Sequence, residues 1–170
     1  LYLCEKPSQA GDIATVLGSK QRRDGYYDTA DGCVTWCFGH LLEQAAPEDY
    51  NPEWKSWNLD LLPIRPSTWR VLARKDTGAQ LKVIQQLLKA ATELVIATDA
   101  DREGEMIARE VLEHFSYRGP VRRLWLSALD PESVKRALAK LKPGRETEPL
   151  YRAALARSRA HARTIGVVLL

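Results

Sequence analysis

Apolar positions along the chain change period at regular intervals, and each change marks an element. Leu1-Tyr2-Leu3-Cys4 reads as a short buried strand, and after Glu5-Lys6-Pro7-Ser8 the spacing of Ala10, Ile13, Ala14 and Leu17 predicts a helix capped by Ser8 and stopped by Gly18. Residues 19–32, polar and rich in Gly, Asp and Tyr, predict an irregular hairpin leading into a strand over 33–37, which Gly39-His40-Leu41 ends. Residues 47–66, with Tyr50, Trp54, Trp57 and four prolines, predict a loop whose tryptophans pack over a sheet edge. Leu81, Ile84, Leu87, Leu88 and Ala91 mark a helix over 77–91, Leu94-Val95-Ile96-Ala97-Thr98 a buried strand, and Met106, Ile107, Val111, Leu112 and Phe115 the helix after it. A strand over 121–126 follows. Then comes a helix with Asp130 as cap, Pro131 at its first position and Val134, Ala137, Leu138 and Leu141 inward, stopped by Pro143-Gly144. A last helix spans about 148–165. Strands alternating with helices predict an α/β fold, a mainly parallel sheet with helices on both faces. The organisation expected is one domain over 1–145 and an arginine-rich helix over 146–170 that begins the next, truncated.

The chemistry concentrates at one strand-to-helix turn. Asp99, Asp101, Glu103 and Glu105 place four acids within seven residues directly after the central strand, where α/β sheets collect ligands. Such crowding calls for a cation. In an extended turn Asp99, Asp101 and Glu103 point the same way and can converge on a point. Hard oxygen donors without histidine or thiolate suit magnesium, which commonly bridges to phosphate. Glu5 ends another strand, with Lys6 beside it to meet an anionic oxygen, and a glutamate near a negatively charged site is suited to general-acid work. A calcium loop also matches, with Asp99, Asp101, Glu103, Gly104 and Glu110 at positions one, three, five, six and twelve. It requires a helix before the loop, where this chain has a strand.

Composition narrows the setting. An apolar share of 45% in 170 residues suffices for one sizeable core. No apolar run is long enough to span a bilayer and the first residues carry no secretory pattern, so no membrane role and a cytoplasmic location are expected. Cys4, Cys33 and Cys37 are an odd number and are expected as free thiols. On a strand Cys33 and Cys37 would stand roughly 13 Å apart at about 3.3 Å per residue, too far to share a zinc ion with His40. Net charge is only +3, but Lys140, Lys142, Arg145, Arg152, Arg157, Arg159 and Arg163 cluster toward the end and Lys20-Gln21-Arg22-Arg23 near the start. From charge alone these are solvated faces. The chain begins at Leu1 without methionine and ends on an apolar run, so both ends read as cut from something longer.

Three segments taken together, Glu5-Lys6-Pro7-Ser8, the run from Val34 to Glu43 (VTWCFGHLLE) and Asp99-Ala100-Asp101-Arg102-Glu103-Gly104-Glu105, resemble in order and spacing the Rossmann-like TOPRIM domain of type IA DNA topoisomerases, most of all the bacterial topoisomerase III branch. The resemblance covers about residues 1–160, with Trp57-Asn58-Leu59 and Leu62-Pro63-Ile64 contributing. It implies an isomerase parent that cleaves and reseals single DNA strands with magnesium and without ATP, relaxing or decatenating DNA. It matches Glu5 to proton transfer at the leaving 3′ oxygen and Lys6 to the scissile phosphate. Asp99, Asp101 and Glu103 match the metal-site acids, and His40 and Arg102 stand at positions facing DNA. The family's nucleophilic tyrosine lies in a later domain, so Tyr2, Tyr26, Tyr27, Tyr50, Tyr117 and Tyr151 are not candidates and this stretch alone is expected to be inactive. The partners implied are single-stranded DNA segments and the remaining topoisomerase domains. The family continues from Arg157-Ser158-Arg159-Ala160 into Asp-Trp, where this chain has His161-Ala162. The alternatives are a TOPRIM primase or nuclease domain, and a non-catalytic nucleic-acid-binding module.

Overall fold

The structure, a computed structural model, describes residues 1–18, 20–55 and 66–164, with side chains to residue 160. In chain order the elements are β1 (Tyr2–Cys4), α1 (Pro7–Leu17), β2 (Gln21–Arg23), β3 (Tyr26–Thr29), β4 (Gly32–Trp36), β5 (Leu42–Gln44), α2 (Pro47–Tyr50), β6 (Val71–Ala73), α3 (Gly78–Ala90), β7 (Leu94–Ile96), α4 (Arg102–His114), β8 (Val121–Arg123), α5 (Pro131–Leu138), β9 (Lys142–Pro143) and α6 (Glu148–Thr164). The main sheet runs β2-β3-β4-β1-β7-β8-β9, and β5 pairs with β6 in a separate ribbon.

The middle of the sheet, β4-β1-β7-β8, is parallel as the helical crossovers require, while β2 and β3 on one side and β9 on the other pair antiparallel. The expected irregular hairpin over 19–32 is in fact a regular meander, with Tyr26 opposite Thr35 and Arg22 opposite Tyr27. Its first turn needs Gly25, whose φ is +79° and where a Cβ would stand 2.7 Å from Gln80 Oε1.

Period-two alternation sorts the central strands into two cores. Leu3, Leu94 and Ile96 pack with Leu81, Ile84 and Leu88 of α3 and Ile107 and Val111 of α4. Cys4, Val34, Trp36 and Val95 face Ala10, Ile13 and Leu17 of α1 and Val134 of α5. Helices therefore cover both faces of an α/β sheet, as the pattern predicts.

Boundaries shift where local stereochemistry overrides the spacing. Helix α1 starts at Pro7, and Lys6, not Ser8, holds the cap position with extended backbone and no side-chain cap. The pyrrolidine ring presets the first helical φ, so Ser8 is already inside. Asp130 does cap α5, its Oδ1 accepting the Ser133 N–H at 3.0 Å. The 47–66 stretch holds α2 and a 3-10 turn, Pro52–Lys55, with Tyr50 and Trp54 rings 6.4 Å apart. Tyr50 Oη accepts the Arg70 N–H at 2.7 Å beside the β5-β6 ribbon. Trp57 and residues 161–170 as a sequence departure fall wholly or partly outside the described residues. Helix α6 lies along α4 and is tied to β5 by a Gln44–Ser158 hydrogen bond of 2.9 Å. Among the described residues no helix is long and apolar enough to cross a membrane.

Candidate functional site

Because β4, β1 and β7 are neighbours, their carboxyl ends deliver Gly39-His40, Glu5-Lys6 and the Asp99 turn to one edge of the sheet. The backbone welds them: Cys37 N–H donates to Cys4 C=O at 2.8 Å and Gly39 N–H to Glu5 C=O at 3.1 Å. Gly39 has φ +70°, which lets the chain turn away immediately after that bond.

The acidic turn is closed by its own polar groups. Asp101, extended at φ −145°, is the cap of α4 and accepts the Gly104 N–H at 2.7 Å. Asp101 N–H donates to Asp99 C=O at 2.9 Å, and Thr98 Oγ1 to Gly104 C=O at 2.8 Å. Gly104 has to be glycine, since a Cβ there would collide with the Asp99 carbonyl oxygen and stand 3.0 Å from both Asp99 N and Thr98 Oγ1.

Each acid of the cluster has its own partner. Lys6 Nζ lies 3.0 Å from Glu5 Oε1 and 3.6 Å from Asp99 Oδ2, bridging the ends of β1 and β7. These two carboxylates raise the Lys6 ammonium above its ordinary value, the Glu5 hydrogen bond most. Gln9, almost fully buried, donates to Asp99 Oδ1 at 3.0 Å and accepts the Glu5 N–H at 2.8 Å. His40 stands between Glu110, 2.9 Å from Nδ1, and Glu103, 2.9 Å from Nε2. Those bonds, Glu110's foremost and against the pull of burial, raise its imidazolium above the ordinary histidine value. Glu105, fully buried, meets Arg123 at 2.5 Å and Arg109 at 2.7 Å.

The cation that the acid crowding calls for is thus in large part the protein's own. The expected convergence of Asp99, Asp101 and Glu103 is not met: among the described residues no three His, Cys, Asp or Glu side chains are placed to hold a metal ion. Extended backbone ends at Asp101, so Glu103 already follows helical geometry and turns to His40 rather than alternating with Asp99. The donor chemistry nonetheless fits a hard dication, because all three are carboxylates and the side chains of Asp99 and Glu103 are 50% and 67% exposed.

Of the residues singled out from sequence, Glu5, Lys6 and Asp99 form one contact group, and His40 and Glu103 another beside it. Arg102 is exposed and makes no ion pair among the described residues. It lines a cleft of about 550 Å³ between the β5-β6 ribbon, α4 and α6, with His40, Asp101, Glu103, Arg74 and Arg157. Sequence reasoning missed Gln9 and Arg123. Each left a trace, since Gln9 shares the apolar stripe of Ile13 and Leu17, and Arg123 shares the period-two face of Val121 in the 121–126 strand. Cys33 and Cys37 are free thiols, and Cys37 is buried.

A family profile described as the Toprim domain matches residues 1–129. The chain is 42% identical over 162 residues to a DNA topoisomerase 3 of Staphylococcus epidermidis, covering 94% of this chain and 23% of that protein. It is 45% identical over 166 residues to a DNA topoisomerase 3 of Haemophilus influenzae, covering 94% and 26%. Full-length topoisomerase I from Thermotoga maritima superposes with a TM-score of 0.56 at 21% identity, over 92% of this chain and 23% of that one. The chain therefore spans about a quarter of the length of these relatives.

Proposed function

This chain belongs to the Toprim family, and from that premise we propose that it is the metal- and phosphate-handling domain of a type IA DNA topoisomerase. Residues 1–145 form the working unit and residues 146–170 lead toward the rest of the parent chain. The observation that carries the reading is Lys6 Nζ, set between Glu5 and Asp99 where two parallel strands end. A phosphodiester entering there meets a half-exposed ammonium whose present partners are two carboxylates.

Asp99, Asp101 and Glu103 would hold magnesium. Such an ion would supply Lewis-acid chemistry there, helping to orient a phosphodiester and to offset charge on its oxygens. Lys6 binds a non-bridging oxygen of the scissile phosphate. Glu5, nearly buried and fixed through its backbone by Gln9, delivers a proton to the departing 3′ oxygen. In the cleavage step a tyrosine hydroxyl loses its proton to solvent as its oxygen forms a bond to phosphorus, the bond to the 3′ oxygen breaks, and that oxygen takes a proton that Glu5 holds once the phosphate has drawn Lys6 away, which returns Glu5 to the carboxylate form seen paired with Lys6. The tyrosine is supplied from outside residues 1–170. His40 and Arg102 line the approach for a single DNA strand.

Magnesium titration followed by amide NMR tests the reading, with the Asp101 and Gly104 signals expected to move at millimolar metal and more strongly with a short single-stranded oligonucleotide present. No response at those concentrations overturns it. A nicking assay on supercoiled DNA tests the reaction class: magnesium-dependent cleavage by this chain alone would instead indicate a nuclease. Salt-dependent DNA binding indifferent to both metal and Asp101→Ala would indicate a non-catalytic binding module.

A further inference from the structure

Beneath the acidic turn lies a charged group that the proposed chemistry does not use. Arg123, on β8, is fully shielded from solvent, a rare state for arginine. Its Nε donates to Glu105 Oε1 at 2.5 Å. Nη1 lies within 3.2 Å of Ile96 C=O, 2.9 Å of Thr98 C=O and 2.7 Å of Leu124 C=O, and Nη2 donates to Asp99 C=O at 2.5 Å. Three of those carbonyls belong to the stretch that leaves β7 and makes the turn. Glu105, on the inward side of α4, is braced in turn by Arg109 Nε at 2.7 Å, and Arg109 Nη2 donates to Gly144 C=O at 2.6 Å.

A buried ion pair is weak as a source of stability, because desolvation offsets most of its attraction. What the planar guanidinium does supply is direction: its fixed fork spans the last residues of β7, the peptide of Asp99 and the first turn of α4. The Asp99 carbonyl it holds also accepts the Asp101 N–H, so the anchored atom sits between the two aspartates. A lysine in its place keeps the charge and loses the fork.

We infer that Arg123, clamped by Glu105, is a positioning residue for the acidic turn, fixing the backbone from which the Asp99 and Asp101 side chains project. As a device for metal binding this rests on the magnesium reading above. The fixing of the turn can be measured without metal.

The test compares the chain with Arg123→Lys and, in case that variant does not fold, Glu105→Gln, which keeps an acceptor and removes the anchoring charge. Two readouts are taken on folded protein: hydrogen exchange of the Gly104 amide, which Asp101 caps, against amides of α1 and β1, and affinity for Mn²⁺ alone from paramagnetic broadening. Faster Gly104 exchange by tenfold or more with α1 and β1 unchanged, and Mn²⁺ affinity lowered at least tenfold, are expected. Gly104 exchange and Mn²⁺ affinity within twofold of the parent chain, even with a lowered melting temperature, would reduce Arg123 to a structural role and overturn the inference. Should the parent chain itself take no Mn²⁺, the magnesium reading fails, and Gly104 exchange alone decides for or against Arg123.

Discussion

Gln9 and Asp99 join two strand ends across the site: the Gln9 amide donates to Asp99 Oδ1 at 3.0 Å while its carbonyl accepts the Glu5 N–H at 2.8 Å. One buried, uncharged side chain thus sets the distance between the residue proposed to move a proton and one proposed to hold metal. Neutrality matters here, because a carboxylate in its place would add to the negative charge already gathered at Glu5 and Asp99.

Replacing Gln9 with alanine removes both bonds and leaves the Glu5 N–H buried without a partner. A loss of about 1–3 kcal/mol is expected. Urea unfolding of the variant beside the parent chain measures it, and an unchanged midpoint would mean that water or a neighbour replaces the amide.

Asp101 carries two roles that substitution can separate. Asn caps helices about as well as Asp, whereas Ala costs about 1 kcal/mol. Asp101→Asn is therefore expected to keep the unfolding midpoint within a few tenths of a kcal/mol and still to weaken Mg²⁺ or Mn²⁺ binding strongly, while Asp101→Ala loses both. Parallel urea and metal titrations check this pair of outcomes.

The two strand-to-helix turns were legible in the sequence because each leaves a local signature, a short apolar run followed by a change to helical spacing. What a linear pattern cannot carry is adjacency. That β1 lies between β4 and β7 depends on long connections between strands far apart in sequence, and only that order brings Glu5 to Asp99 and His40 to Glu103. Periodicity also assigns residues to faces without regard to charge. Glu105 on the buried stripe of α4 and Arg123 at the end of β8 read separately as exceptions, and become one structure only when α4 is laid against β8. The same limit explains the acidic cluster, whose repulsion was plain while its protein cations, Lys6, His40, Arg109 and Arg123, were scattered over more than a hundred positions.

The thiols are expected to differ sharply in reactivity. Cys4 and Cys37 are fully buried, and burial pushes both well above the ordinary thiol value, with Cys37 raised further by Glu5. Cys33, on β4, is only partly buried. Treating the native chain with iodoacetamide near neutral pH should label Cys33 slowly and leave the other two untouched until denaturant is added. Peptide mass spectrometry reads the order, and early labelling of Cys37 would show that the core beneath Glu5 opens readily.

Asp130 provides a test on the acid side. Its carboxylate accepts the Ser133 N–H at the start of α5, and hydrogen bonding to Ser133, from its side chain foremost and its backbone next, holds it below its ordinary value. A group depressed on folding contributes fully above its unfolded pKa of about 3.9 and loses that contribution as pH falls through the lower folded value. The side chain is exposed, so the effect is modest and shrinks with salt. Asp130→Asn keeps a cap and removes the titration. Urea midpoints measured from pH 6 to pH 2 should therefore fall less steeply for Asp130→Asn than for the parent chain. The remaining slope includes Glu148, which its hydrogen bond to Arg152 depresses in the same way. Identical slopes would show that the Asp130 bond forms equally well with the protonated acid.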